Sequence, residues 1–263
     1  MARWHAGAID AFLDRAHRDP DALGVVLVGS VARGDDRPGS DVDVYLVVTD
    51  TAFERAASEG RISFVDRTGI DDPHGYVDVK LVCPSYLRDA VTAGDDPLRA
   101  SFVGSRVLWD AGGGLAPQIG ALLDPGPAYF ESLHTAFVAQ VALHGGYFLP
   151  QATALDNTLL AHHAAVHSAY AAGRLVLAKD GTFFRGAKYL DAQLAASPSA
   201  PTGFAELLAD LVARPSAVRM RAVEDALSSL VPDGFAISDE VLSRFITDNE
   251  LSWRTRSSPP EFR

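Results

Sequence analysis

The strongest constraint on the fold of this chain is the run from Gly24 to Val48. A short apolar stretch, Gly24-Val25-Val26-Leu27-Val28, ends in Gly29-Ser30, and after a polar loop the chain resumes as Asp41-Val42-Asp43-Val44-Tyr45-Leu46-Val47-Val48. An unbroken apolar run of this length, bounded by turn residues, suits a central strand covered on both faces. The second run predicts a strand on which Asp41 and Asp43, two residues apart, share one face. Two like charges held side by side repel unless a cation lies between them. The alternation returns in Tyr76-Val77-Asp78-Val79-Lys80-Leu81-Val82, where Tyr76, Asp78 and Lys80 take one face and Val77, Val79 and Leu81 the other. If these two strands are neighbours, three carboxylates converge on one polar face above a packed apolar one.

The remaining patterns divide the chain. Residues 2–18 have the spacing of a one-faced helix, stopped by Asp19-Pro20-Asp21, and further helices are expected over 52–59, 85–92, 96–103 and 115–123. Short strands are expected at 61–65 and, on a sheet edge, at 106–109. Asp124-Pro125-Gly126-Pro127 is the clearest boundary signal, and beyond it strand patterns vanish. Helical periodicity then covers 129–149, 153–179, 185–194, 204–213, 216–230 and 239–251, with Gly145-Gly146 and several prolines as separators and a disordered tail from Arg254. The expected fold class is α+β: an N-terminal mixed-sheet domain over 1–124, then a C-terminal α-helical bundle over 125–263.

Composition excludes several classes of function. The net charge of −11 argues against sequence-independent nucleic-acid binding, which depends on Lys and Arg neutralising phosphates. It suits a cationic acceptor or a metal nucleotide better. Cys83 is the sole cysteine, which leaves no intramolecular disulfide and no thiolate zinc site. No apolar run approaches the ~18 residues of a membrane span, and the N-terminus lacks a leader pattern, so a cytoplasmic location is expected.

The chemistry gathers around the first stretch. Gly29 lets backbone approach a phosphate with no Cβ in the way, while the Ser30 hydroxyl and the amides of the following turn are donors to phosphate oxygens. Asp41 and Asp43 are hard oxygen ligands of the kind Mg²⁺ takes together with substrate phosphates. Asp78 fits a ligand of a second ion, a general base toward an acceptor hydroxyl, or both. Beside Lys80 it also fits an ion pair on an exposed face. His163 and His167 are four apart, yet no Glu follows in a His-Glu-x-x-His pattern. Together with His134, His144 and His162 they read as core or cleft histidines, and Trp109 and Trp253 as packing residues.

Gly29-Ser30, Arg33-Gly34, Ser40 and Asp41-x-Asp43 resemble the signature of the DNA polymerase β-type nucleotidyltransferase superfamily, in particular its small bacterial branch with the aminoglycoside nucleotidyltransferases. The two-part layout is similar to that branch. The resemblance implies a Mg²⁺-dependent enzyme, with two ions, that moves a nucleoside monophosphate from an NTP, ATP by preference, to a hydroxyl of a small-molecule acceptor such as an antibiotic. It implies Asp41, Asp43 and Asp78 as catalytic and metal-binding residues. Gly29, Ser30, Arg33 and Ser40 would bind the nucleotide, and Lys188 in Arg185-Gly186-Ala187-Lys188-Tyr189 its triphosphate. Arg33 also fits the close of a turn, and Lys188 a solvated helix start. Other members of the superfamily are toxins acting on tRNA or protein, or inactive relatives that sense nucleotide, and both remain alternatives.

Overall fold

Residues 3–260 are described by a computed structural model, and the chain divides into two units, Met1–Pro125 and Gly126–Arg263. In the first unit, Ile9, Phe12 and Ala16 recur at helical spacing and form the buried stripe of α1 (Arg3–Ala16). The chain continues through β1 (Ala22–Val28), the single turn α2 (Gly29–Arg33), β2 (Val42–Val48) and α3 (Asp50–Ser58). Then come β3 (Ser63–Asp66), β4 (Val77–Val82), α4 (Pro84–Ala93), α5 (Asp96–Phe102), β5 (Arg106–Asp110) and α6 (Leu115–Leu123). Gly34, with φ 77°, ends α2 in the left-handed region that glycine tolerates. The Thr49 hydroxyl starts α3 by accepting from the Ala52 amide at 3.2 Å.

The five strands form one mixed sheet in the order β3-β4-β2-β1-β5. β2 and β4 are parallel neighbours, joined by a crossover through α3 and β3, while β1–β2, β1–β5 and β3–β4 are antiparallel. One sheet face, with Val25, Leu27, Val44, Leu46 and Val79, packs on α1 and α3. The other, with Val26, Val28, Tyr45, Val47 and Val82, packs on α4, α5 and α6. Each such fully buried side chain contributes about 1.5–3 kcal/mol relative to exposure. The fully buried Arg99 fastens the second layer, donating from Nε to the Gly94 carbonyl at 2.9 Å, from Nη2 to Val91 at 3.1 Å, and also to Leu122.

The second unit is helical: α7 (Pro127–Leu143), α8 (Leu149–Ala154), α9 (Thr158–Lys179), α10 (Leu190–Ala196), α11 (Phe204–Ala213), α12 (Ala217–Ala226), α13 (Asp239–Asn249) and the short α14 (Ser252–Thr255). Its apolar core runs through Phe137, Val141, Leu175, Val176, Leu211 and Val223. Three expectations are corrected. Gly145-Gly146 does not break the chain but lies in a π-helical turn, His144–Phe148, that joins α7 to α8. Gly145 is small because a Cβ there would stand 2.7 Å from Met220 Sδ. The break lies instead at residues 155–157, where Asp156 has φ 49° and Asn157 caps α9, accepting from the Leu160 amide at 3.0 Å. Nor is the tail after Arg254 uniformly loose: Pro260 is buried, and its carbonyl accepts from Arg174 Nη1 at 2.7 Å. Arg174 itself lies 4.5 and 4.7 Å from the ring centres of Phe137 and Phe184. Trp253 is 76% exposed and packs little.

Candidate active site

The sheet register brings the predicted carboxylates together. Parallel pairing sets Asp43 on β2 directly opposite Asp78 on β4, and antiparallel pairing sets Asp43 opposite Val28, the last residue before the Gly29 turn. Asp41 stands just ahead of β2, two residues from Asp43 and on the same face. Farther along, that face is closed by Tyr45, stacked on Phe102 with ring centres 4.7 Å apart and bonded through its hydroxyl to Ser101 at 3.0 Å. The polar end of the face is therefore open, and its apolar end is packed.

The convergence has an electrostatic consequence. The Asp43 carboxyl is pushed up from 3.8 to about 6, by burial first and then by the neighbouring charge of Asp41, with Asp78 adding to the effect and Lys80 and Arg33 opposing it. Lys80 Nζ lies 3.2 Å from Asp78 Oδ2. Burial pulls the Lys80 ammonium down, yet Asp78 outweighs it and holds the group above its ordinary value. The neighbouring Asp41 carboxylate raises the Tyr76 hydroxyl above its ordinary value, and Arg67 covers the Tyr76 ring at 5.1 Å. Tyr76 and Lys80 thus belong to the site with the three aspartates. The signal for both is their place on the polar side of the β4 alternation.

Gly29, with φ 72°, serves Asp43 as directly as any phosphate: a Cβ at Gly29 would lie 2.8 Å from Asp43 Cγ and closer still to Oδ2. Ser30 follows in the first turn of α2, half-buried. Arg33 pairs with Asp35 through Nε at 3.2 Å and runs its stem over Gly104, where a Cβ would come within 2.7 Å of Arg33 Cγ. The Ser40 hydroxyl accepts from the Arg37 amide at 2.9 Å and closes the loop that leads into β2. The fully buried His5 fastens that loop from α1: its Nε2 lies 2.9 Å from the Ser40 carbonyl, and its Nδ1 lies 3.8 Å from Asp36. Nothing local in the sequence marks His5, because its partners are more than thirty residues away.

Lys188 belongs to the second unit. It is exposed on a short 3₁₀ turn, Ala187–Tyr189, where Lys188 and Arg185 both lie over the Tyr189 ring, at 5.3 and 4.5 Å. In the same unit His144 is buried, with its ring 4.8 Å from His167 and 5.6 Å from His163, and its Nε2 is 3.2 Å from Gln140 Oε1. Burial, and then the charges of His167 and His163, push His144 down to about 3.

The donor set suits a hard divalent cation. Asp41 and Asp43 supply oxygen ligands, and the space left by the missing Cβ of Gly29 is where the Asp43 carboxylate stands. Among the described residues no three His, Cys, Asp or Glu side chains form a ready metal cage. Asp78 faces Lys80 instead.

Comparison with known proteins agrees with the geometry. Residues 9–91, which span α1 to α4 and include Gly29, Asp41, Asp43 and Asp78, match the family model of the nucleotidyltransferase domain. A search of curated proteins returned no match. A solved structure of a nucleotidyltransferase-like protein from Exiguobacterium sibiricum aligns over 95% of this chain and 78% of that one, at 13% identity and a TM-score of 0.47, a likeness too slight to carry an argument. Among the described residues no helix is long and apolar enough to cross a membrane. The N-terminal sheet unit thus matches a nucleotidyltransferase domain, and the match supports an NTP substrate and nucleotidyl transfer as its general activity.

Proposed function

We propose that this protein is a Mg²⁺-dependent adenylyltransferase that moves AMP from ATP to a hydroxyl of a small polyhydroxylated acceptor and releases pyrophosphate. The observation that carries this reading is the register that sets Asp43 opposite Asp78 and beside the Gly29-Ser30 turn. Mg²⁺, when bound, neutralises charge on the triphosphate and polarises the α-phosphate. Asp41 and Asp43 hold that ion, Gly29 and Ser30 meet the phosphates, and Arg33 adds a positive field at the same place. Asp78 accepts the proton of the acceptor hydroxyl as its oxygen bonds to the α-phosphorus and the bond from that phosphorus to the bridging oxygen breaks. The leaving pyrophosphate needs a cation, the role proposed for Lys188 on the family resemblance. The net charge of −11 favours a cationic acceptor such as an aminoglycoside-like antibiotic over RNA.

The test is a transfer screen with the four α-labelled NTPs against an aminoglycoside panel, bulk tRNA and protein. The expected result is ATP label on a small molecule, reduced ~10²-fold or more in Asp78→Asn. Label on tRNA or protein would overturn the acceptor class, and no transfer to any acceptor would overturn the activity.

A further inference from the structure

Lys80 sits where the reaction's second cation would be sought. It is two residues from Asp78 on the same face of β4, its Nζ is 3.2 Å from Asp78 Oδ2, and both side chains reach solvent, with relative exposures of 49% and 26%. In the register Lys80 pairs with Tyr45, one step along the polar face from the Asp43–Asp78 pair, so its charge lies beside Asp43 as well as Asp78. We propose that Lys80 takes the place of a second divalent ion: it neutralises Asp78, so that the loaded site holds one divalent ion, on Asp41 and Asp43, and Asp78 stays out of the coordination shell.

The reason is electrostatic, given the nucleotidyltransferase reading above. A second Mg²⁺ on Asp78 would have to break an existing ion pair and then lie against a displaced ammonium, and Mg²⁺ gives up water reluctantly even where no cation opposes it. The carboxylates are arranged accordingly. Among the described residues they form no three-ligand cage. With no metal on it, the Asp78 carboxylate keeps its lone pairs for the proton of the acceptor.

Counting Mn²⁺ by electron paramagnetic resonance tests this on the full chain, with an ATP analogue whose α,β-bridging oxygen is replaced by a methylene so that no transfer occurs. Wild type and Lys80→Arg are expected to hold one Mn²⁺ per chain with the analogue, and Lys80→Gln two. Two ions in wild type would overturn the proposal, as would one ion in Lys80→Gln, because Lys80 would then not be what excludes the second. No bound Mn²⁺ in any variant would overturn the nucleotidyltransferase reading itself and this proposal with it.

Discussion

Asp43 is a carboxylate held where its charge is unwelcome. Its acidity is displaced upward from 3.8 to about 6, so the folded chain binds a proton there more tightly than the unfolded chain does. The ionised group therefore opposes folding above pH 6, and the penalty fades as pH falls toward the unfolded value. Asp43→Asn is expected to raise the stability of the metal-free protein at pH 7.5 by about 1 kcal/mol, after allowance for solvent screening, with the gain vanishing near pH 4. Urea denaturation across that range, followed by the fluorescence of Trp4 and Trp109 in the first unit, reads it directly. Equal or lower stability of the variant at pH 7.5 would contradict the burial assigned to Asp43. Asp41, Asp43 and Asp78 were legible because a strand alternates with period two, and that period alone sets the face. The grip of Lys80 on Asp78 and the His5 anchor were not, because they depend on where long side chains end rather than on where they start.

Among the elements, the join between α7 and α8 is where the break expected from the sequence and the observed structure diverge. Glycine pairs signal breaks chiefly where positive φ is needed; neither Gly145 nor Gly146 has it, and smallness beside Met220 explains Gly145 instead. The histidine on that π-helical turn carries a pH signature. His144 is neutral in the fold down to about 3, whereas the unfolded chain takes up its proton near 6.5. Its neutral form is favoured by the fold, so stability present above pH 6.5 is lost as pH falls from 6.5 toward 3. The groups that face it are Gln140 on α7, His163 and His167 on α9, and the rings of Phe148 and Phe245. His144→Leu is expected to flatten the acid limb of helical unfolding, at most by about 1.4 kcal/mol per pH unit. Circular dichroism melts between pH 7 and 4 measure it, and an unchanged acid limb would contradict the assignment. Strands and most helices were legible from periodicity; the Asp156 break was not, because a left-handed non-glycine residue leaves no pattern.

Over the whole molecule, the sheet unit is the part that matches a nucleotidyltransferase domain, and the proposed reaction rests on three short runs of sequence that the sheet places side by side. What receives the nucleotide was not legible, because acceptor choice depends on pocket shape and on side chains with no fixed spacing to betray them. The central claim is that Asp41 and Asp43 hold the metal of a nucleoside triphosphate. Calorimetric titration of Mg·ATP into the full chain and into Asp41→Ala/Asp43→Ala tests it most directly, with the folded state of both checked by circular dichroism. The account predicts binding that requires Mg²⁺ and weakens below pH 6 in wild type, where Asp43 takes up its proton, and no metal-dependent binding in the double variant. Equal, metal-independent binding by both would contradict it.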